Sequence, residues 1–189
     1  MSELERFSPE LQEFLAGLFY RVGDFISASD DTDVGEESEE LEQKSMLALI
    51  TQFSESRKLP PLICDMARET FARRRDWVRW GDARGQFLSE FEDAFDLLQD
   101  SLIEGEAQSL RRCAFFLAMR VAESFREEAD YGLDDANYFD KMQKKIAYWT
   151  LALTDRDARK KLNISPAEDS ALHQLYDILN RLCPSLPKT

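Results

Sequence analysis

Ser8-Pro9-Glu10-Leu11-Gln12-Glu13-Phe14-Leu15-Ala16-Gly17-Leu18-Phe19-Tyr20-Arg21-Val22-Gly23-Asp24-Phe25-Ile26 is the stretch that decides the fold. It opens with a serine where a helix needs a cap and a proline at the first helical position. A capping hydroxyl accepts one of the amides that a helix start leaves free, and proline has no amide to lose there. Leu11, Phe14, Leu15, Leu18, Phe19, Val22, Phe25 and Ile26 then recur at three- and four-residue steps, which puts them on one helical face. The stretch therefore predicts a long amphipathic helix with its apolar face in a core.

The same period recurs along the chain, and few segments alternate as strands do. A second helix is expected from Glu36 through Met46, Leu47, Leu49, Ile50 and Phe53. A third is expected from about Pro61 to Arg75, burying Leu62, Ile63, Met66, Ala67 and Phe71. Trp77 to Gly81 reads equally as a bend or a continuation. A fourth helix is expected over Asp82 to Leu102 on Phe87, Leu88, Phe91, Phe95 and Leu98. A fifth is expected from Glu106 to about Ala129, and a sixth from about Asp134 to Leu153. Ser165-Pro166-Ala167-Glu168 repeats the capped start, ahead of a stripe of Leu172, Leu175, Tyr176, Leu179 and Leu182. The expected fold class is all-α: a compact single-domain bundle of six or seven helices spanning residues 1–189.

The chain has 189 residues, 43% of them hydrophobic, enough for a core without disulfide or metal staples. Cys64, Cys113 and Cys183 are scattered and form no CxxC pair, as expected of reduced thiols buried in a reducing compartment. The acidic N-terminus lacks the apolar core of a secretory signal. The longest apolar run, Cys113 to Met119, is too short to span a membrane. A cytoplasmic location is expected. The net charge of −13 argues against a general nucleic-acid binder, which needs a dominant basic face.

Acid is concentrated. From Val22 to Gln43 there is no Lys or Arg, while Asp24, Asp30, Asp31, Asp33, Glu36, Glu37, Glu39, Glu40 and Glu42 crowd the same window. Residues 27–43 read as an acidic turn followed by a helix start, where acid complements the helix dipole. A weaker echo lies at Glu127, Glu128, Asp130, Asp134 and Asp135. Arg21-Val22-Gly23-Asp24 aligns with Arg120-Val121-Ala122-Glu123, each tetrad ending an apolar helix before an acidic turn. Two helical halves related by a pseudo-twofold are one account of this; chance and solubility are the other.

Ala129-Asp130-Tyr131-Gly132-Leu133-Asp134 resembles the alanine–aspartate–glycine turn of tellurite-resistance TerB-like domains, and Asn163-Ile164-Ser165-Pro166-Ala167-Glu168 is similar to the start of their last helix. The chain departs from that pattern by placing Tyr131 before Gly132 and by lacking the same order in its first turn. The resemblance implies an all-helical, acidic, divalent-cation-binding module of a stress-response or membrane-associated assembly, with no established catalytic activity.

Clustered carboxylates on a turn can supply the hard oxygen ligands that Ca2+ or Mg2+ prefer. The candidates are Asp30, Asp31, Asp33, Glu36 and Glu37 in the first turn, and Asp130, Asp134 and Asp135 in the second. The EF-hand loop fails: starting at Asp31 puts Gly35 one position early, and starting at Asp30 puts Thr32, Val34 and Leu41 at ligand positions. A solvated acidic loop accounts for the same residues. The single histidine, His173, and the absence of Walker A, GxGxxG and GxSxG patterns leave no familiar catalytic signature. One basic region interrupts the acid, with Arg73, Arg74, Arg75, Trp77, Arg79 and Trp80 as candidate partner-binding residues. Arginines that pair with the chain's own acids are the competing account.

The sequence thus favours a non-enzymatic acidic interaction module with a protein partner, holding a divalent cation at its turns. The alternative is an acidic inhibitor or immunity-type protein that blocks a basic nuclease or toxin. A hydrolase with paired carboxylates is a third class that sequence leaves open, as it does self-association of the basic patch with the acidic loop into a homo-oligomer.

Overall fold

The computed structural model describes residues 2–29, 36–123, 144–149 and 165–182, and every regular element among them is helical. Helix α1 spans Pro9–Ser27. The Ser8 hydroxyl accepts the Leu11 amide at 3.3 Å, as the cap requires. Helix α2 spans Glu36–Glu55 and α3 Pro61–Ala72. The six-residue α4, Trp77–Asp82, follows a single 3-10 turn, Arg74–Asp76. Helix α5 spans Phe87–Ser101 and α6 Glu104–Glu123. Residues 144–149 are helical. The last helix, α7, spans Pro166–Arg181 and starts with a complete capping box between Ser165 and Glu168.

α1 is the axis of the arrangement and packs against every other numbered helix. Its apolar face is buried as the periodicity predicts; of the eight stripe residues only Phe25 stays half-buried. α3 and α6 lie along it, and α2 packs on both of these. Phe19 meets Phe53 of α2 at 5.4 Å, and Phe14 meets Phe91 of α5 at 5.3 Å. Trp149 is fully buried beside Phe116 of α6. At the other end of the chain, a 3-10 turn over Glu3–Arg6 docks on α3, where Asp65 accepts the Glu3 amide at 2.8 Å. Arg6 pairs with Glu106, a buried carboxylate that also accepts the Ile103 amide at the start of α6.

Three boundaries differ from expectation. The third helix stops at Ala72 instead of Arg75, because Arg73 leaves helical geometry at φ −98°, ψ 31°. Trp77–Asp82 is neither a simple bend nor a continuation but a separate short helix. The fourth expected helix starts at Phe87 instead of Asp82, since Arg84–Gln86 form a 3-10 turn. These two corners let the chain from Arg73 to Gln86 wrap across α1, which a straight helix could not do. The second acidic turn and most of the sixth expected helix lie outside the described residues, as does Cys183.

Two glycines make α1 slender where neighbours cross it. A Cβ on Gly17 would stand 2.9 Å from Cε2 of the Trp80 ring, and one on Gly23 would collide with the Met46 sulfur. Trp80 and Met46 thus fill space that any larger residue on α1 would close.

Candidate functional site

The C-terminal end of α1 borders a cleft of about 410 Å³. Tyr20, Gly23, Asp24, Ser27 and Ala28 line it from α1, Glu42, Gln43 and Met46 from α2, Arg84 from the turn before α5, and Val121 from α6. It sits at the C-terminal end of α1, against the second and third turns of α2. Gly23 and Asp24 belong to the first of the two aligned tetrads and Val121 to the second, so the two tetrads meet here.

Asp24 is the best-placed acid. Arg84 grips it with two parallel bonds, Nε to Oδ2 at 2.8 Å and Nη2 to Oδ1 at 2.7 Å. Its side chain is only 15% exposed, whereas that of Arg84 is 44% exposed. Glu42 is a second carboxylate in the cleft and is buried. Burial, and after it the Asp24 charge, push the Tyr20 phenol above its ordinary pKa, with Arg84 opposing them in part. Tyr20 is therefore a neutral hydroxyl at physiological pH. Its ring stacks on Trp77 at 4.8 Å. Two carboxylates, the Arg84 guanidinium and the hydroxyls of Tyr20 and Ser27 therefore line one cleft.

The second tetrad ends on Glu123, whose carboxylate accepts Lys145 Nζ at 3.0 Å and Trp149 Nε1 at 2.7 Å. Asp24 and Glu123 are thus both anchored by cationic residues distant in sequence.

The turn residues expected to bind metal are placed as follows. Asp30, Asp31, Asp33, Asp130, Asp134 and Asp135 lie outside the described residues. Glu36 and Glu37 occupy the first turn of α2. Among the described residues, no three His, Cys, Asp or Glu gather closely enough to hold a metal ion.

The basic candidates are largely engaged with the chain itself. Glu13 of α1 receives Arg73 Nη1, Arg79 Nη2 and, at 3.3 Å, Trp80 Nε1. Burial works against the Glu13 charge, but hydrogen bonds from Arg79 and Trp80 and the two arginine charges prevail, leaving its pKa below the ordinary value. Arg73 also bonds Glu69. Trp80 is buried, and Trp77 donates its Nε1 to the Thr70 carbonyl at 2.9 Å. Arg74 lies over the Phe71 and Trp77 rings, and Arg75 is exposed. His173 bonds the Asp169 carbonyl within α7, away from the cleft.

Sequence reasoning placed Asp24 and Glu42 in the acidic window without singling them out, and it missed Tyr20, Met46 and Arg84 as their companions. Tyr20 stands one helical turn before Asp24, a spacing that could have signalled a shared face. Nothing local marks Arg84, which comes from sixty positions away. Comparison with family models, curated proteins and solved structures returned no match.

Proposed function

We propose that this protein is a non-enzymatic helical interaction module that captures a positively charged group at the acidic junction between α1 and α2. The observation that carries this is the convergence of Asp24 and buried Glu42 on one cleft at the end of α1. Carboxylates held together in this way, on a chain of net charge −13, attract and orient a cation. The group is either a divalent cation, held with the oxygen ligands of the neighbouring turn, or a basic side chain of a protein partner. A stress-response or membrane-associated assembly, as the TerB-like resemblance implies, is the proposed setting.

The blocking of a basic nuclease or toxin is a second form of the same chemistry. It is favoured by the guanidinium that Asp24 already accommodates. Calorimetric titration separates the two. Ca2+ or Mg2+ should release heat and raise the melting temperature if the cation form holds, since a ligand of the native state stabilises it by about 2.7 kcal/mol at a hundredfold excess over Kd. A basic peptide should do so in a salt-sensitive way if the blocking form holds. The absence of both heat and stabilisation, with metal and with peptide alike, removes the proposal.

A further inference from the structure

We infer that this chain associates with itself head to tail: the corner formed by Arg74, Arg75 and Val78 on one copy receives the outer face of α5 on the next. This goes beyond the function proposed above and uses none of the residues that line the cleft.

Among the described residues, the large apolar side chains that stand furthest into water are Val78, 75% exposed, Ile103, 65%, and Leu97, 55%. Each lies amid charge of one sign. Arg74 and Arg75 are exposed in the turn that leads into α4, and Val78 is exposed in the first turn of that helix. Leu97 stands four residues after Asp93 and three before Asp100, with Asp96 beside it, and all of them are exposed. Residues at those steps share one side of a helix. Phe91, Phe95 and Leu98 hold the other side of α5 in the core, so the acidic side faces out. Ile103 extends it at the link to α6.

These charges are not spent within the chain. Arg75, Asp93, Asp96 and Asp100 have no ion-pair partner among the described residues. Arg74 lies over the Phe71 and Trp77 rings, and a guanidinium so placed keeps its N–H groups for carboxylates. Arg73 and Arg79, by contrast, are taken by Glu13. Leu97 lies about 15 Å along α5 from its start, so the acidic face stands apart from the basic corner. One surface therefore offers bases around an aliphatic centre, and another offers acids around an aliphatic centre. Two unlike, complementary patches on one chain make a heterologous contact, which closes into a ring or runs on as a chain.

The basic corner is not suited to nucleic acid, since Trp80 is buried and Trp77 is engaged by Tyr20 and Arg74, leaving no indole for a base. The net charge of −13 opposes self-association at long range. At physiological salt that repulsion is screened within about 8 Å, whereas the two patches act in contact.

Sedimentation velocity of the full chain in about 0.15 M salt, over a roughly hundredfold range of concentration, is the test. The sedimentation coefficient should rise with concentration. The paired substitutions Arg74→Glu with Arg75→Glu, and Asp96→Arg with Asp100→Arg, should each weaken association roughly tenfold or more, since each sets like charges against one another. The second pair lowers the net negative charge, so general repulsion between copies predicts the opposite result for it. Mixing the two doubly substituted proteins should restore association, because the acidic α5 face of the first still fits the basic corner of the second. Arg75→Glu alone leaves the Arg74 contact with its rings intact and should weaken association in the same direction, so it stays decisive if the double substitution melts early. A native chain that remains monomeric throughout overturns the inference, even if it binds an acidic peptide. Unchanged association of Arg75→Glu, or a mixture no heavier than its parts, overturns it as well. Because the cleft is untouched by these substitutions, such a failure leaves the metal and basic-peptide titrations to decide the proposed function by themselves.

Discussion

Gly17→Ala tests the packing of α4 on α1. Alanine in a helix interior is favoured over glycine by about 1 kcal/mol, so propensity alone predicts a gain. The new methyl carbon, however, would stand 2.9 Å from Cε2, 3.1 Å from Cζ2 and 3.2 Å from Cδ2 of Trp80. That ring is 5% exposed, and its nitrogen is tied to Glu13, so it has little room to retreat. Overpacking a core site costs about 1–3 kcal/mol. The net expectation is a loss of about 1 kcal/mol, which lowers Tm by about 2–4 °C in a chain of this length. Gly105→Ala is the control: it lies in α6 with nothing within 4 Å of the added carbon, and it should hold or raise Tm. The nearest ring atoms belong to the six-membered part of the indole, so a Trp80→Phe background should relieve the clash. Urea and thermal melts followed by circular dichroism give all four values for a double-mutant cycle. A Gly17→Ala protein as stable as Gly105→Ala, or a penalty undiminished beside Phe at position 80, would refute the proposed contact.

Three further expectations follow from side chains already described. Glu13 has a lowered pKa in the fold, so its contribution is fully present above the ordinary value of 4.5 and is lost as pH falls through the lowered one. Urea melts between about pH 3 and 6 should therefore show a steeper acid limb for the native chain than for Glu13→Gln. Arg21 is buried between Phe14 and Phe87, pairs with Glu90 at 2.6 Å and leaves its Nε without a hydrogen-bond partner. Glu90→Ala, which strands that charge, should cost about 2–3 kcal/mol, and Arg21→Met should cost less; the reverse order in denaturant melts would show that the pair is not what holds Arg21. Burial pushes the thiols of Cys64 and Cys113 above their ordinary values, so both should resist a thiol reagent at neutral pH until the protein unfolds, as peptide mapping after labelling would show.

Local signals carried most of the fold. The starts at Ser8-Pro9 and Ser165-Pro166 were legible because a cap and its amide lie within one turn, and the α1 stripe because burial of that face repeats with the helical period. The corners around Arg73 and Arg84 were not. No cap, proline or glycine signal marks Arg73, and the break there follows the crossing over α1. The candidate site shows the same divide. Its acids were visible as composition, but the basic region could be read as one patch only until Glu13 and Asp24 divided it between them. Those partners come from the first helix, sixty or more positions earlier, and no window of sequence contains both sides.

The single carboxylate of Glu13 has an optical consequence. A six-residue helix is too short to hold its shape in water unaided, so α4 borrows its order from the anchor on α1. Two of the chain's three indoles, Trp77 and Trp80, ride on that short segment, while the third, Trp149, is enclosed beside Glu123 on α6. Intrinsic emission therefore carries two separable voices. Local release of α4 would alter the first pair and leave the enclosed ring silent until the interior itself opens.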